Sequence, residues 1–253
     1  MRQSDVIRVL MVAYLTVIGC DESVVLTVVN AAHHGTRVDG KLPNLGDPEK
    51  ARVFTNDMGW TVNLSEGFAV TSSAVLESCD GTQIVVGTPF GPFPEYWTEQ
   101  DKNVVDFGYA DLPKGTYCKL ILEYGRYQAN VASAADDQPF PIKDLMQVEG
   151  RTLYLAGYAE KPDGMGGMIT QNFGLETDQT VQVPLDLSAA GLGGGPFKIT
   201  GDENTTPNLT VLKAYDALFR GVEFDKLDTA AFNASLPQRM IDNTSVIYGT
   251  AVY

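Results

Sequence analysis

A period-two alternation of apolar and polar residues runs through most of this chain and constrains its fold more than any other feature. In the stretch GWTVNLSEGF, Trp60, Val62 and Leu64 alternate with threonine, asparagine and serine. Such alternation is typical of a β-strand with one buried face. Similar short runs follow one another, separated by turn signals such as Asp80-Gly81. The sequence therefore predicts an all-β fold: an antiparallel, immunoglobulin-like or jelly-roll-type β-sandwich with long loops and at most short helices.

Only one stretch favours a helix. It is YDALFRGVEFDKLDTAAFNASL, residues 215–236, whose candidate apolar face consists of Leu218, Phe219, Val222 and Phe224. At the other end of the chain, SVVLTVVN (23–30) is a candidate first strand. We see no internal repeat and no linker between domains, so the sequence indicates one elaborated domain.

The N-terminal segment has the features of an export signal. A modestly basic start is followed by a short apolar run that ends in Val17-Ile18-Gly19-Cys20. The run is shorter than the roughly 20 apolar residues that a membrane span needs. Its ending resembles the bacterial lipobox, in which the cysteine becomes lipidated and N-terminal. The alternative is a buried first strand with an inert cysteine.

The lipobox interpretation divides the chain into three parts. Residues 1–19 are a lipoprotein signal peptide, 20–35 are a lipidated N-terminus and tether, and 36–253 are a single β-sandwich domain. Cys20 is the predicted lipidation site, and the membrane is a partner through its lipid anchor. The predicted location is the bacterial cell envelope, at the periplasmic or outer-membrane surface.

The charge of the chain excludes one class of function. The net charge is −14, and removal of residues 1–19 takes away two arginines and one aspartate, which leaves −15. Proteins that bind nucleic acids present basic patches to the phosphate backbone. We therefore expect no nucleic-acid partner.

Two cysteines remain after Cys20 is assigned to the lipid. Cys79 and Cys118 form an even pair in a chain predicted to be exported. Disulfides persist in such compartments, whereas a structural zinc site requires four clustered ligands. The pair is therefore better interpreted as one disulfide than as a metal site, with two separate buried thiols as the alternative.

The sequence contains no recognisable catalytic motif. The only histidines are the adjacent His33 and His34, and there is no Gly-x-Ser-x-Gly or His-Glu-x-x-His segment. We therefore expect a protein that is not an enzyme.

Residues that could bind a transition metal are present. Imidazoles and thioethers are suitable ligands for copper. The candidate donors and their neighbours are His33, His34, Met58, Trp60, Met165 and Met168. The alternative is that the histidines are solvated, that the two later methionines pack in a hairpin, and that Trp60 belongs to the core.

Three segments resemble a known family. They are FTNDMGWTVNLSEGFAVTSSAVLESCDG, DLPKGTYCKLILEYG and VEGRTLYLAGYAE, which together fall within roughly residues 50–160. The chain resembles the secreted β-sandwich lipoproteins related to the MbnP-type copper-binding proteins. The resemblance implies an exported sandwich linked to copper, with Trp60 at the position of a tryptophan near the metal. Copper is therefore the alternative cofactor; no other cofactor is indicated.

A second candidate binding region is the stretch PFGPFPEYW. Its aromatic residues are Phe90, Phe93, Tyr96 and Trp97, and exposed rings on loops are suited to recognition. The alternative is a loop that folds back over an open end of the sandwich.

The leading functional hypothesis is a membrane-anchored envelope lipoprotein that acts as a non-enzymatic binding or structural module, with other envelope proteins or a small ligand as partners. A periplasmic or surface copper-binding protein of MbnP-like type is the alternative.

Overall fold

A computed structural model of the protein describes residues 24–35, 52–88, 91–98, 104–128, 145–203 and 205–249. Within these ranges the chain forms thirteen strands and two α-helices. The strands are β1 Val24–His34, β2 Arg52–Thr55, β3 Thr61–Ser78, β4 Gln83–Val86, β5 Phe93–Tyr96, β6 Val105–Pro113, β7 Gly115–Tyr124, β8 Leu153–Pro162, β9 Met168–Thr177, β10 Val181–Asp186, β11 Phe197–Ile199, β12 Asn208–Ala214 and β13 Thr244–Tyr248. The helices are α1 Leu145–Val148 and α2 Thr229–Asp242.

The strands form two sheets that enclose the main core. A four-stranded sheet has the order β13-β12-β1-β6, and a nine-stranded sheet has the order β10-β7-β3-β8-β9, with β11 paired to β7 and with β2, β4 and β5 paired to β3. Strands β1 and β12 are parallel, whereas the other paired strands are antiparallel. One hydrophobic cluster contains residues from both sheets, such as Val29 and Leu76. The predicted all-β sandwich is confirmed.

Strand β3 is the long central strand of the larger sheet. Its first half pairs with β8, and its second half pairs with β7. Val62 and Leu64 are buried, as the alternation predicts, while Thr61 and Asn63 are partly exposed. The register shifts between Leu64 and Glu66 and again between Thr71 and Ser73. Such bulges bend and twist a long strand, which lets β3 pair with different neighbours along its length.

The N-terminal segment corrects the predicted domain boundary. Strand β1 covers residues 24–34 and lies between β6 and β12. Its inward residues, which include Val29 and Ala31, are buried in the core. Residues 24–34 are therefore part of the sandwich and not a tether, because a central strand is hydrogen-bonded along both edges.

The predicted helical stretch is only partly helical. Residues 216–219 and 224–226 form 3-10 turns, separated by Gly221 with a φ of +72°. This left-handed conformation interrupts a right-handed helix. Helix α2 then begins at Thr229 and continues through Pro237 to Asp242. Its N-cap residue is Asp228, whose side chain accepts a hydrogen bond from the backbone N–H of Ala231. Phe232, Leu236 and Met240 form its buried face.

Neither α-helix in the described ranges is long and apolar enough to cross a membrane.

Candidate functional site

The most unusual feature of the core is a cluster of three ionisable side chains between the two sheets. His33 lies on β1, Lys213 on β12 and Glu95 on β5, which pairs with β3 of the larger sheet. Nδ1 of His33 lies 3.0 Å from Oε1 of Glu95, and the Lys213 ammonium forms an ion pair with Oε2 of the same carboxylate. The side chains of His33, Glu95 and Lys213 retain 0%, 1% and 3% of their exposure. We call these three residues the buried triad.

The sequence pattern explains how the triad reaches the core. Lys213 follows Leu209 and Val211 at a spacing of two along β12, so its side chain points inward with theirs. His33 occupies the equivalent position after Val29 and Ala31 on β1, beyond the register shift between Val29 and Asn30. Because β1 and β12 run parallel with His33 opposite Lys213, both side chains face Glu95 across the core.

The triad holds Glu95 in its charged form. Burial by itself would raise the pKa of this carboxyl group, because a charged group is poorly solvated in the core. The Lys213 ammonium and the His33 ring outweigh that effect and lower the pKa from 4.5 to about 2. A carboxylate accepts hydrogen bonds but cannot donate them, so Nδ1 of His33 carries the donated proton.

Further contacts surround the lysine of the triad. Nζ of Lys213 lies 3.5 Å from the hydroxyl of Thr71 and 5.7 Å from the centre of the Tyr124 ring. The Tyr124 hydroxyl lies 3.0 Å from the hydroxyl of Thr244, and burial raises its pKa. The adjacent cavity, lined by Trp97, Tyr124 and Lys213 among others, has a volume of about 10 Å³. A space of that size is about enough for one water molecule and does not admit a substrate.

The triad therefore connects the two sheets through charged contacts in the core. Its carboxylate has a cation and a ring donor as partners, and its polar atoms are enclosed. Chemistry on an external substrate requires a group that the substrate can touch. The triad can fix how the two sheets pack, since a buried charge tolerates few alternative arrangements.

A second arrangement of a carboxylate, a lysine and an aromatic ring lies near the surface. The indole Nε1 of Trp60 donates a hydrogen bond to Oε2 of Glu223 at 2.8 Å. Nζ of Lys161 lies 3.4 Å from the same oxygen and 5.7 Å from the centre of the Trp60 ring. The Glu223 side chain retains 29% of its exposure. We call Trp60, Lys161 and Glu223 the surface cluster.

Asn56 explains the NDMGW segment as a structural turn. Its side-chain oxygen accepts hydrogen bonds from the backbone N–H groups of Met58 and Trp60. Its amide nitrogen donates to the carbonyl groups of Phe219 and Val222. Asn56 thus fastens the turn before β3 to the 216–226 segment and positions Trp60 beside Glu223.

The six residues of the predicted metal site, which are the candidate donors and the neighbouring Trp60, do not form one cluster. His33 belongs to the buried triad, and Nδ1 of its neighbour His34 lies 3.1 Å from the carbonyl oxygen of Gly35. The ring contacts between His33 and Trp60 run in series through four other aromatic side chains. These are Tyr215, Phe54, Phe219 and Phe224.

The two hairpin methionines are different again. Met165 and Met168, in and after the turn between β8 and β9, are exposed, the first at 90%. Met58 is partly buried and packs against the main core.

This arrangement does not fit one copper ion. Ligands of a single metal lie within about 2.0–2.3 Å of it, so a fully enclosed histidine and a solvent-exposed methionine of separate elements cannot share it without rearrangement. The Lys213 ammonium beside His33 would also repel a cation. Within the part of the chain that the structure describes, no three or more histidine, cysteine, aspartate or glutamate side chains form a metal-binding group. Copper binding by other means stays a prediction.

The aromatic stretch at 89–97 is not an exposed loop in the part that is described. Phe93, Tyr96 and Trp97 are buried, at most 6% exposed, and Phe90 lies outside the described residues. Strand β5 is covered on both faces: Phe93 contributes to the main core, while Tyr96 packs with Phe68 in a smaller cluster on the other face. The expectation of exposed rings is therefore wrong for these three residues, since they have the packing role that was the alternative.

The predicted disulfide is present. Cys79, just after β3, and Cys118, on β7, are bonded with their Cα atoms 5.0 Å apart. The two cysteines are separated by 39 residues in the sequence. In the chain-entropy model, a disulfide that closes a loop of this size stabilises the folded state by about 3–4 kcal/mol. Cys20, the predicted lipidation site, and residues 1–19, the predicted signal peptide, lie outside the described residues.

One open cleft of the described structure has a mainly polar lining. It has a volume of about 610 Å³ and lies between the ends of β8 and β9 and helix α2. Arg151 is one of its lining residues, and its Nε lies 2.6 Å from Oε2 of Glu176. Asn233 of α2 accepts a hydrogen bond from the backbone N–H of Glu176. The remaining lining consists mainly of polar side chains: Glu149, Thr177, Asp178 and Gln179. Unlike the triad, this cleft is open to solvent.

Sequence reasoning missed Glu95, Lys213 and Asn56. A usable signal existed for Lys213, because it stands where the alternation of NLTVLKAY requires an apolar residue. Glu95 stands within the aromatic stretch PFGPFPEYW, whose pattern draws attention to the rings and not to the carboxylate. Asn56 precedes the Met-Gly-Trp segment that was considered for metal binding.

These features define the class of the protein as an all-β sandwich with an enclosed ionic core. No family model matches the chain, and no curated protein matches it. Among solved structures, the chain is similar to MbnP from Methylosinus trichosporium, with 10% sequence identity and a TM-score of 0.46. The match covers 89% of this chain and 98% of that chain. At this identity the likeness assigns no residue and no ligand to the present chain.

Proposed function

We propose that this chain is a membrane-anchored lipoprotein of the bacterial envelope that acts as a non-enzymatic binding or structural module. The observation that carries the location is the Cys79–Cys118 disulfide, since such bonds persist in extracytoplasmic compartments and are rare in the reducing cytosol. Together with the Val-Ile-Gly-Cys ending at residue 20, the disulfide supports export followed by lipidation.

The enclosed triad supports a non-enzymatic role. In many enzymes, carboxylates, histidines and lysines with strongly perturbed pKa values line a cleft that the substrate enters. Here the carboxyl group with the strongly lowered pKa, Glu95, is covered by both sheets. A small polar ligand or another envelope protein would instead contact the open cleft around Arg151 and Asn233.

The location is tested by metabolic labelling. Cells that express the chain are grown with labelled palmitate and then fractionated. The intact protein takes up label and appears in the membrane fraction, whereas Cys20→Ala loses both properties. Unlabelled, soluble protein with an intact leader would contradict the proposal.

The binding role is tested on the mature domain by thermal-shift screening against small polar ligands and candidate envelope proteins. A true partner raises the unfolding temperature of the wild type but not that of Asn233→Ala or Gln179→Ala. The matched control is Gln182→Ala, on the exposed side of β10. A partner whose effect survives both cleft variants does not bind in the cleft.

A further inference from the structure

Several of the exposed large apolar side chains gather around the start of β1. Val24 and Leu26 of β1 are 52% and 49% exposed, and Tyr109 of β6 and Val85 of β4 are also exposed. Soluble surfaces carry scattered apolar side chains, but a group of them at one place marks a contact surface. We call Val24, Leu26, Val85 and Tyr109 the apolar patch.

Strand pairing places the side chains of Val24, Leu26 and Tyr109 on one face. Val24 and Leu26 are two residues apart on β1, so they point to the same side of the sheet. Tyr109 is the pairing partner of Val28, the next residue of that series, and opposite residues of an antiparallel pair share a face. This face is the outer one, because Thr27 and Val29 between and beyond them are buried in the core.

Val85 extends the patch across the side of the sandwich. The backbones of Gly87 and Tyr109 pair through two hydrogen bonds, of 2.7 and 2.9 Å, so β4 of the large sheet meets β6 of the small one. Val85 lies two residues before Gly87, the pairing partner of Tyr109, so the side chains of Val85 and Tyr109 point to the same outer face. A side chain at Gly108 would collide with Val86 and with Gly87, so the glycine permits this close approach.

The position of the patch in the chain indicates what it contacts. Only residues 21–23 separate the predicted lipidated Cys20 from Val24. An extended chain spans at most about 3.6 Å per residue, so Val24 would lie within about 14 Å of the lipidated residue. A domain on so short a connection presents the start of β1 to the membrane.

The charges near the patch are mixed, which is compatible with a lipid surface. Asp111 pairs with Leu26, and Asp106 accepts a hydrogen bond from the Tyr109 hydroxyl at 3.2 Å. Lys114 is exposed next to Pro113, the pairing partner of Val24. An ammonium group can contact headgroup phosphates, while carboxylates can contact the amines of zwitterionic lipids. Tyrosine is well suited to the interface because its ring is apolar and its hydroxyl is polar.

We propose that the apolar patch rests on the surface of the membrane that carries the lipid anchor and so fixes the orientation of the domain. This inference depends on the anchoring described under Proposed function. Once the acyl chains hold the protein, the patch adds little to affinity and mainly decides which side of the sandwich faces the bilayer. The polar cleft and the β8–β9 turn would remain in the aqueous phase.

The test uses the full-length, palmitate-labelled protein in vesicles of phosphatidylethanolamine and phosphatidylglycerol. A fluorescent probe that responds to polarity is attached at Leu26→Cys, at Val85→Cys as a second patch position, and at Met165→Cys as the exposed control. We expect blue-shifted emission and several-fold weaker quenching by iodide at the two patch positions than at Met165. Spin-labelled lipid headgroups should quench the patch probes and leave the Met165 probe unaffected.

Each other outcome overturns the inference in a distinct way. Palmitate-labelled protein whose patch probes are as accessible to iodide as the Met165 probe has an anchor but no docked patch, and the proposed function stands. Shielding that appears without vesicles and grows with protein concentration assigns the patch to a second copy of the chain. Absence of palmitate from the wild-type protein refutes the anchoring itself and the inference with it.

Discussion

The buried triad and the surface cluster are built from similar parts in different surroundings. Each has a glutamate with a lysine beside it, and in each the lysine nitrogen lies 5.7 Å from the centre of an aromatic ring, Tyr124 in the first and Trp60 in the second. Glu95 retains 1% of its exposure, whereas Glu223 retains 29%. In both glutamates the pKa is lowered, but only Glu95 must also overcome desolvation as the largest effect on its pKa.

The difference shows that burial, and not the list of contacts, decides what such a group contributes. Water can replace the partners of Glu223 when they are removed. Nothing replaces the partners of Glu95, because both sheets cover it. A buried ion pair can be no more stabilising than apolar packing of the same shape, yet the loss of one member is costly because the others remain charged in the core.

The largest expected effect follows from removal of the central charge. We expect Glu95→Gln to lower the free energy of unfolding by about 3–5 kcal/mol, because the Lys213 ammonium then lacks its counter-ion. Urea denaturation of the mature domain at neutral pH measures this. The matched control is Glu223→Gln, which we expect to change the denaturation midpoint very little. Equal losses in the two variants would contradict the role given to burial.

A triple replacement separates the cost of an unpaired charge from the worth of the triad. In His33→Leu/Glu95→Leu/Lys213→Met, all three ionisable groups of the triad are removed together. We expect this variant to recover most of the stability that Glu95→Gln loses, since apolar side chains of similar size often replace a buried ion pair without loss. A triple variant less stable than Glu95→Gln would show that the charged contacts are themselves strongly favourable.

The second effect is the response to acid. The folded pKa of Glu95 is about 2, below the ordinary value of 4.5, so the unfolded chain takes up this proton first. The stabilisation is complete above pH 4.5 and is lost as the pH falls from 4.5 toward 2. A shift of this size corresponds to about 3 kcal/mol. Denaturation of wild type and Glu95→Gln between pH 7 and about 3 tests this, and we expect the difference between the two proteins to shrink below pH 4.5.

Other carboxyl groups with lowered pKa values, such as Asp80 and Asp163, titrate in the same range. They are present in both proteins, so the difference between the two curves isolates the contribution of Glu95. A difference that stays constant throughout the acid range would mean that the carboxylate of Glu95 does not titrate as proposed.

The third effect concerns the frame of the surface cluster. We expect Asn56→Ala to lower the free energy of unfolding by about 1–3 kcal/mol, because the backbone groups of Trp60, Phe219 and Val222 lose a side-chain partner at a mostly buried position. Thermal unfolding measures it. The control is Asn63→Ala, on the partly exposed side of β3. Equal losses would mean that the Asn56 hydrogen bonds have no special role.

Much of the fold could be predicted from local pattern, but the site could not. The alternation around Val62 and Leu64 predicts β3 because successive side chains of a strand point to opposite faces, so a short stretch of sequence carries the signal. The pairing of Cys79 with Cys118 follows from the number of cysteines and the predicted compartment. The triad joins residues 33, 95 and 213, and no local rule relates positions so far apart. Its members were visible individually only as exceptions, such as Lys213 in an apolar series.

The predicted tether shows a local signal that led to a wrong boundary, because residues 24–34 form strand β1. The resemblance to a lipobox predicts a boundary at residue 35, although SVVLTVVN has the composition of a strand. The pairing that makes β1 a central strand depends on β6 and β12, some 80 to 180 positions later, and the N-terminal position alone gave no hint of it.

The smallest expected effect is on the surface cluster itself. We expect Glu223→Gln to leave stability nearly unchanged, because Glu223 and Lys161 are both partly exposed and water solvates either one when the pair is broken. The Trp60 indole would still have an oxygen to which it can donate, but the charge beside it would be gone. The emission of Trp60 should therefore shift while the denaturation midpoint does not. Fluorescence spectra of the wild type and the variant, recorded in a Trp97→Phe background so that Trp60 is the only tryptophan, provide the measurement.

The control is Glu176→Gln, which breaks a different surface ion pair and should leave the emission unchanged. A large loss of stability in Glu223→Gln would mean that an exposed carboxylate can stabilise this sandwich as strongly as the enclosed one, and the contrast between the two clusters would then have another cause than burial.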